Sequence, residues 1–533
     1  MALELVLLMI LFLLLAIPLL LFPTLTSKIF QTHLHLPPSP LALPIIGHYH
    51  LLGPLIHRTF HNLSLSFGPL FSLRLGSLQC VVVSTPNLAK EFLSTHELSF
   101  ISHAQSLAIE SISYNASLAF APYGSYWKFI KKLTVNELLG NRSINNLVSI
   151  RTQEYLRLLR FLAKKAESGE AVNLTEEFPK LWNNVTVQMI VGNRGLSAEG
   201  RAARAEEAGV VVRQATRLFG EVSLCDFFWV CKKLDLRGFV KRIEETHRRF
   251  DVLVEKVIRE REELRKKERM EEHGGEKEEE VKDFLDTLLD LLEDGSAEVE
   301  FTRIHLKALI TDLFTAGTDT NAISLEWALA ELINHPRVLK KAREEIDRAI
   351  GNQRVAGESD VPNLPYIQAI IKETFRLHPP VPLVPRNSVQ QCKIGGYDIP
   401  TNTMLYVNVW AIGRDPKNWE SPLDFCPERF LQLSEDGGQM NAVDVRGQHF
   451  QLLPFGSGRR VCPGVNLTMK MLPAVLAALI QCFDWKVDGS DCKKMNGDDV
   501  LEMDERPGLT APRAHDLVCV PVARFSPLNI LDP

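Results

Sequence analysis

The sequence predicts a mainly α-helical protein with small β-sheets, folded as one large domain behind an apolar N-terminal helix. Three observations predict it. Apolar residues recur at helical spacing around residues 145–166, 200–218, 236–268, 302–349, 364–377 and 465–483. The clearest strand-like alternation is short: Phe71, Leu73 and Leu75, a turn near Gly76, then Val81, Val82 and Val83. From Leu5 to Phe22 every residue is apolar save Pro18, which is uncharged.

That apolar run is about long enough to cross a bilayer core as a helix. A cleaved signal peptide is the competing reading. The run outlasts a signal core, Glu4 stands where a basic start belongs, and no small-x-small site precedes Pro23. Residues 1–26 therefore read as a retained membrane anchor. Glu4 before the run and Lys28 after it place the bulk of the chain on the cytoplasmic side. Pro37-Pro38-Ser39-Pro40, Pro44 and Gly47 remove amide donors and fix φ, so residues 27–47 form a stiff hinge. The span from Arg259 to Lys282, dense in charge and interrupted by Gly274-Gly275, reads as a solvated helix end and surface connector. Neither a repeat nor a long Gly/Ser linker divides residues 48–533, which form one domain.

The 533 residues are 45% apolar and 23% charged, ordinary globular composition. A net charge of -5, from 60 basic and 65 acidic residues, gives no reason to expect a nucleic-acid partner. Nine cysteines are scattered without a C-x-x-C pair, which suits reduced thiols in a cytosolic domain and offers no zinc site. A metal role would fall on one cysteine assisted by a non-protein ligand.

The most specific segment is Phe455-Gly-Ser-Gly458-Arg-Arg460-Val-Cys462-Pro-Gly464, followed by an apolar helical stretch. Its glycines permit tight turns and close approach to a flat cofactor, and the nearby helix start and arginines would bias Cys462 toward thiolate. In isolation, such a cysteine is ordinarily inert. The pattern F-x-x-G-x-R-x-C-x-G resembles the haem-binding loop of the cytochrome P-450 superfamily, and the resemblance extends over nearly the whole chain. It implies the cytochrome P-450 fold, haem b ligated by Cys462, Arg460 on a haem propionate and Phe455 packed beside the sulfur. A thiolate ligand pushes electron density toward iron and favours O–O cleavage.

Ala316-Gly317-Thr318-Asp319-Thr320 lies inside a helical pattern where Gly317 could admit a ligand against the backbone. Asp-Thr within a helix is ordinarily a solvated pair or a hydroxyl bonded to the preceding turn. The resemblance makes Asp319 and Thr320 the acid and alcohol that manage protons during oxygen activation. Glu373 and Arg376, spaced i and i+3, match the superfamily's E-x-x-R element, and Arg429 would complete a buried structural network. Cys426 stands where relatives usually carry arginine. Trp127 and Lys131, spaced i and i+4, resemble a pair that reaches the propionates, with Arg386 as a further partner. Lys128, Lys132 and Arg459 would offer a basic surface to NADPH-cytochrome reductase, which passes electrons from NADPH to the haem for use with O2.

Asn408-Val-Trp-Ala-Ile-Gly-Arg-Asp-Pro416, Gly447-Gln-His-Phe450 and Pro507-Gly-Leu-Thr-Ala-Pro-Arg-Ala514 resemble the flavonoid-oxidising members of plant microsomes. These include membrane-bound flavone synthase, flavanone 2-hydroxylase and 2-hydroxyisoflavanone synthase. The implied substrate is a flavanone such as naringenin, oxidised at C2 or C3 to a flavone or 2-hydroxyflavanone at the endoplasmic reticulum membrane by a single-pass protein. Ala316, Thr315 and Val384 are the expected substrate-facing residues. Aryl-migrating members typically carry serine and lysine where this chain has Thr315 and Pro385, although Gly458–Asn466 looks nearer to them. Migration to a 2-hydroxyisoflavanone is thus the alternative product. A haem-thiolate isomerase or dehydratase, or a non-enzymatic haem protein, would not need Asp319 and Thr320. His103 replaces an arginine usual in relatives, in a loop that borders their substrate pocket.

Overall fold

The computed structural model describes residues 34–524, apart from 104, 193–197, 227–228, 236, 272–281, 296, 432–442, 488–491 and 496–497. The expected anchor lies outside the described residues, as does the first part of the hinge. Its remainder runs along the first sheet: Pro38 O accepts from Ser72 N at 2.7 Å, Pro37 O accepts from Ser72 Oγ at 2.9 Å, and Gly47 bridges to Leu75.

That sheet has four strands. β1 (Leu70–Leu75) and β2 (Leu78–Val83) form a hairpin turning at Gly76, whose φ of 58° suits glycine. β2 pairs in parallel with β4 (Met404–Asn408), and β4 pairs antiparallel with β3 (Leu383–Asn387), setting Val384 opposite Val407 and Arg386 opposite Leu405. The alternation that predicted the hairpin thus continues through partners distant in sequence. A second sheet joins Val172–Asn173, β6 (Val518–Ala523) and β5 (Phe483–Val487), and closes the chain's end onto the helices.

Helices make up most of the rest. They include α1 (Ile56–Phe67), α2 (Ser125–Thr134), α3 (Val148–Ser168), α4 (Leu174–Val191), α5 (Ala198–Gly220) and α6 (Phe239–Glu271). They continue with α7 (Phe284–Asp294), α8 (Arg303–Asn334), α9 (Pro336–Ala349), α10 (Pro365–Leu377) and α11 (Val465–Cys482). The periodic run 302–349 is two helices, because Pro336 lacks an amide donor and opens α9 as its first residue. α8 begins with a reciprocal cap between Thr302 and His305. Leu309, Phe314, Leu325 and Trp327 are fully buried, each contributing about 1.5–3 kcal/mol by removal from water. α11 is apolar nearly all round because it runs through the core: Met471 to Cys482 are buried.

The charged stretch after Arg259 is not wholly a surface connector. Arg261 is buried and donates to Asp286 at 2.8 Å, while Arg303 bridges Glu255 and Glu262, tying α6 to α7 and α8. Cys80, Cys225, Cys231, Cys392, Cys426, Cys462, Cys482 and Cys519 are free, in keeping with reduced thiols.

Candidate active site

The Cys462 loop is built by backbone geometry. Gly456 and Gly458 have φ of 69° and 71°, and a Cβ on Gly458 would collide with the Glu97 carboxylate. Cys462 N–H donates to Phe455 O at 3.0 Å, and Ser457 Oγ donates to Gly447 O at 2.6 Å. Phe455 meets Phe375 of α10 edge-on, with centroids 5.3 Å apart. The thiolate bias expected from two arginines is not what the structure shows. Arg459 turns to Tyr123 and Glu97, and Arg460 to backbone carbonyls. Burial pushes the Cys462 thiol up, opposed by the N–H of Gly464, the Lys131 charge and the N–H of Val465 at the start of α11.

A cluster of cations stands beside this loop. Arg460 donates to Ile101 O at 3.0 Å and Ala121 O at 2.6 Å, and its Cζ lies 4.1 Å from the Trp127 ring centroid. Lys131 Nζ lies 5.0 Å from the same ring and donates to Arg459 O. The Trp127 N–H is taken by Leu118 O at 2.9 Å, and its ring serves the cluster as a stacking platform. Arg386, 3% exposed, donates to Pro385 O at 2.8 Å and to His103 Nε2 at 3.1 Å. Burial, together with neighbouring Arg460, pushes its guanidinium down to about 9. Burial, Arg386 and Arg460 likewise hold His103 far below the usual imidazole range, so it accepts as a neutral ring. Of the expected docking cations, Lys132 pairs with Glu298 and Arg459 with Glu97.

α8 carries the expected acid–alcohol pair. Ala316 is exposed and Thr315 partly so, although Phe314 and Thr318 beside them are buried. Thr320 Oγ1 donates to Ala316 O at 2.8 Å, the local bond that threonine favours in helices. Gly317 faces α4, where an added Cβ would lie 2.8 Å from Thr186 Oγ1; its smallness serves helix packing, not the ligand approach expected from sequence. Next to Thr320, Asn321 Oδ1 accepts from Thr468 Oγ1 at 2.9 Å, joining the helix of the acid–alcohol pair to the helix that follows Cys462. Val384 packs in the sheet's apolar core, on the face of β3 that also carries Arg386.

Glu373, Arg376 and Arg429 come together. Glu373 accepts from Arg376 Nη2 at 2.6 Å and Nε at 2.7 Å, and from Arg429 Nε at 3.0 Å, with the Glu373 and Arg376 side chains fully buried. Arg376 also reaches the carbonyls of Gly413, Pro422 and Asp424. At Cys426 it is the backbone N–H that meets Glu373, at 2.8 Å, so the side-chain departure leaves the network whole.

Two side chains at this site were not singled out from the sequence as site residues. Asp312 of α8 accepts from Ser117 Oγ at 2.7 Å and Leu118 N–H at 2.5 Å, and burial raises it to about 7. Thr510 donates to Asp319 Oδ2 at 2.9 Å from 191 residues away.

The site fits a porphyrin. Arg460 Nη1 is buried without a hydrogen bond, and the crowded guanidinium groups call for an anion such as paired propionates. Among the described residues no group of three or more His, Cys, Asp or Glu could hold a metal.

The chain belongs to the cytochrome P450 family, whose model, described as Cytochrome P450, matches residues 37–510. Membership brings cysteine-ligated haem b, O2 and NADPH-derived electrons, and makes the chain a monooxygenase. It is 55% identical to Cytochrome P450 93B2 of Gerbera hybrida over 98% of this chain and 99% of the relative. Identity to 2-hydroxyisoflavanone synthase of Glycyrrhiza uralensis is 50%, over 95% and 94% of the two chains. Identity to 3,9-dihydroxypterocarpan 6A-monooxygenase of Glycine max is 47%, over 93% and 95%. A zebrafish cytochrome P450 solved with progesterone shares the fold, with a TM-score of 0.69 at 24% identity, over 88% of this chain and 100% of that one.

Proposed function

We propose that this chain oxidises a flavanone such as naringenin at C2 or C3, giving a flavone or a 2-hydroxyflavanone. The observation that carries the reading is the link between the helix that follows the Cys462 loop and α8, whose Thr315–Ala316 stripe is accessible: Thr468 Oγ1 donates to Asn321 Oδ1 at 2.9 Å. Relatives whose names specify isoflavanone and pterocarpan skeletons support a flavonoid substrate.

When bound, the haem supplies oxygen activation. Cys462 would hold it through Sγ, and Arg386, Arg460 and Lys131 would neutralise its carboxylates, with Trp127 stacked behind two of these cations and Phe455 beside the sulfur. Asp319 and Thr320 hold and move protons on the distal side, while Thr315, Ala316 and Val384 orient the substrate. Residues 1–26 anchor the chain in the endoplasmic reticulum membrane, residues 27–47 form the hinge, and domain 48–533 faces the cytosol. There it receives electrons from NADPH-cytochrome reductase. In desaturation, flavanone, O2, NADPH and a proton yield flavone, NADP+ and two waters. In hydroxylation, one oxygen atom enters the product and one water leaves.

The 50% identity to 2-hydroxyisoflavanone synthase favours aryl migration as the second reading. Thr315 and Pro385, where the migrating members typically carry serine and lysine, favour the first. Microsomes containing this chain and a reductase, given NADPH and naringenin, test both. The first reading expects a product lacking two hydrogens or carrying oxygen on an unmigrated skeleton. A migrated aryl group establishes the second, and absence of flavonoid turnover removes both.

A further inference from the structure

Asp319 is half-buried on α8, and among the described residues its carboxylate is met by one hydrogen bond, from the Thr510 hydroxyl at 2.9 Å. Burial raises this acid, whereas Thr510 and the more distant charges of Arg213, Arg217 and Arg506 lower it, and no ion pair forms between Asp319 and those arginines. The Thr510 hydroxyl is placed by a loop fixed from several sides. Ala511 N–H donates to Pro380 O and Ala511 O accepts from Trp327 Nε1, both at 2.9 Å. Arg506 N–H donates to Pro512 O at 2.8 Å, and Glu505 gathers His57, Arg58 and Trp410. A Cβ on Gly220, the last residue of α5, would run into the backbone of Leu509. Thr510 itself is 5% exposed.

We propose that Thr510 is a positioning residue for the monooxygenase reaction, fixing the Asp319 carboxyl in the orientation from which it exchanges protons with the distal side of the site. The proposal rests on the reading of Asp319 and Thr320 as the acid–alcohol pair. Thr510 undergoes no net change: the proton that leaves Asp319 is replaced from solvent, and the hydroxyl keeps the carboxyl from turning away between turnovers. A pinned loop suits this task, because misplacing a proton-transfer group by about 1 Å costs on the order of a hundredfold in rate.

The test compares Thr510→Val, Thr510→Ser, Thr510→Ala and Asp319→Asn in the full-length holoenzyme with reductase, NADPH and naringenin. Thr510→Val is expected to lower kcat about tenfold or more with KM nearly unchanged, since general acid catalysis contributes 10²–10⁴-fold. It should divert NADPH electrons to peroxide and displace the limb of the pH–kcat profile that Asp319→Asn abolishes. Thr510→Ser should restore all three, and Thr510→Ala, which makes no branched-chain contact, should repeat the valine result. As a readout independent of turnover, the carboxyl infrared band lost in Asp319→Asn should shift in Thr510→Val and stay in place in Thr510→Ser. Equal loss in the serine and valine variants, or valine kinetics within twofold of wild type while Asp319→Asn is depressed, overturns the role of Thr510. Asp319→Asn kinetics within twofold of wild type would instead overturn the acid–alcohol reading beneath it.

Discussion

Replacing Glu373 by glutamine changes one atom and one charge at the most deeply buried ion network of the domain. Oε1 accepts from Arg376 Nη2, Arg429 Nε and Cys426 N, and Oε2 accepts from Arg376 Nε. An amide can place its carbonyl at the first position and keep three of those bonds. Its NH2 then faces Arg376 Nε, donor against donor, and one charge-assisted bond worth about 1.5–3 kcal/mol is lost. Arg376 has a fully buried side chain and Arg429 is only 11% exposed, so two desolvated cations remain without a counter-charge. Removing one member of a buried pair costs about 3–5 kcal/mol, or about two to four orders of magnitude in the folding constant. The carbonyls of Gly413, Pro422 and Asp424 still solvate Arg376, which favours the lower end. Glu373→Gln, Arg429→Gln and the double variant, compared by urea midpoints and slopes, should give a coupling of at least about 1.5 kcal/mol. A cost below about 1 kcal/mol for Glu373→Gln, with additive double-variant behaviour, would refute the charge argument. Because α10 also carries Phe375 against Phe455, the same variant should release haem faster to an acceptor protein.

Cys462→Ser should abolish the thiolate-type band of the ferrous carbon monoxide difference spectrum while far-ultraviolet circular dichroism stays near wild type; survival of that band would move the ligand elsewhere. Arg386→Leu should weaken haem retention by about tenfold or more, the loss of one partly desolvated charge pair, measured by haem transfer; unchanged retention would leave the cations without a bound anion to serve. Asp312 is raised from 3.8 to about 7 by burial, so its folded form holds the proton more tightly than its unfolded form. The stability it contributes is complete below about pH 4 and is lost as pH rises through about 7, at about 1.4 kcal/mol per pH unit. Between about pH 5 and 6.5 the wild type should lose about 2 kcal/mol more than Asp312→Asn. Parallel denaturation curves of the two proteins across that window would contradict this. Glu326, also raised to about 7, is common to both and cancels.

Features that depend on neighbours in sequence were legible. The hairpin at Gly76, the i, i+3 placement of Glu373 and Arg376, the extent of α10 and α11, and the turn-forming glycines around Cys462 all follow from local spacing. The break at Pro336 was legible in principle, but apolar periodicity carries across it. Donor assignments were not legible. Trp127 N–H goes to Leu118, Arg460 to Ile101 and Ala121, and Thr510 to Asp319, because a polar group's partner is settled by which surfaces pack. Gly317 is instructive: a missing side chain within a helix has the same signature whether a ligand or, as here, Thr186 of a neighbouring helix fills the space.

A chain of polar and ring contacts through residues 117–127 links α8 to the Cys462 loop. Asp312, on the helix of the acid–alcohol pair, holds Ser117 and Leu118; Leu118 O holds Trp127; Trp127 stacks with Arg460 and Lys131; and Ala121 O holds Arg460, two residues before Cys462. His103 belongs to the same arrangement. An arginine there would set a further cation against Arg386 and Arg460, whereas a neutral imidazole accepts from Arg386 and packs edge-on against Phe120. The substitution exchanges charge at this edge for an aromatic contact, and Phe120 in turn meets Phe219 of α5 at 5.8 Å.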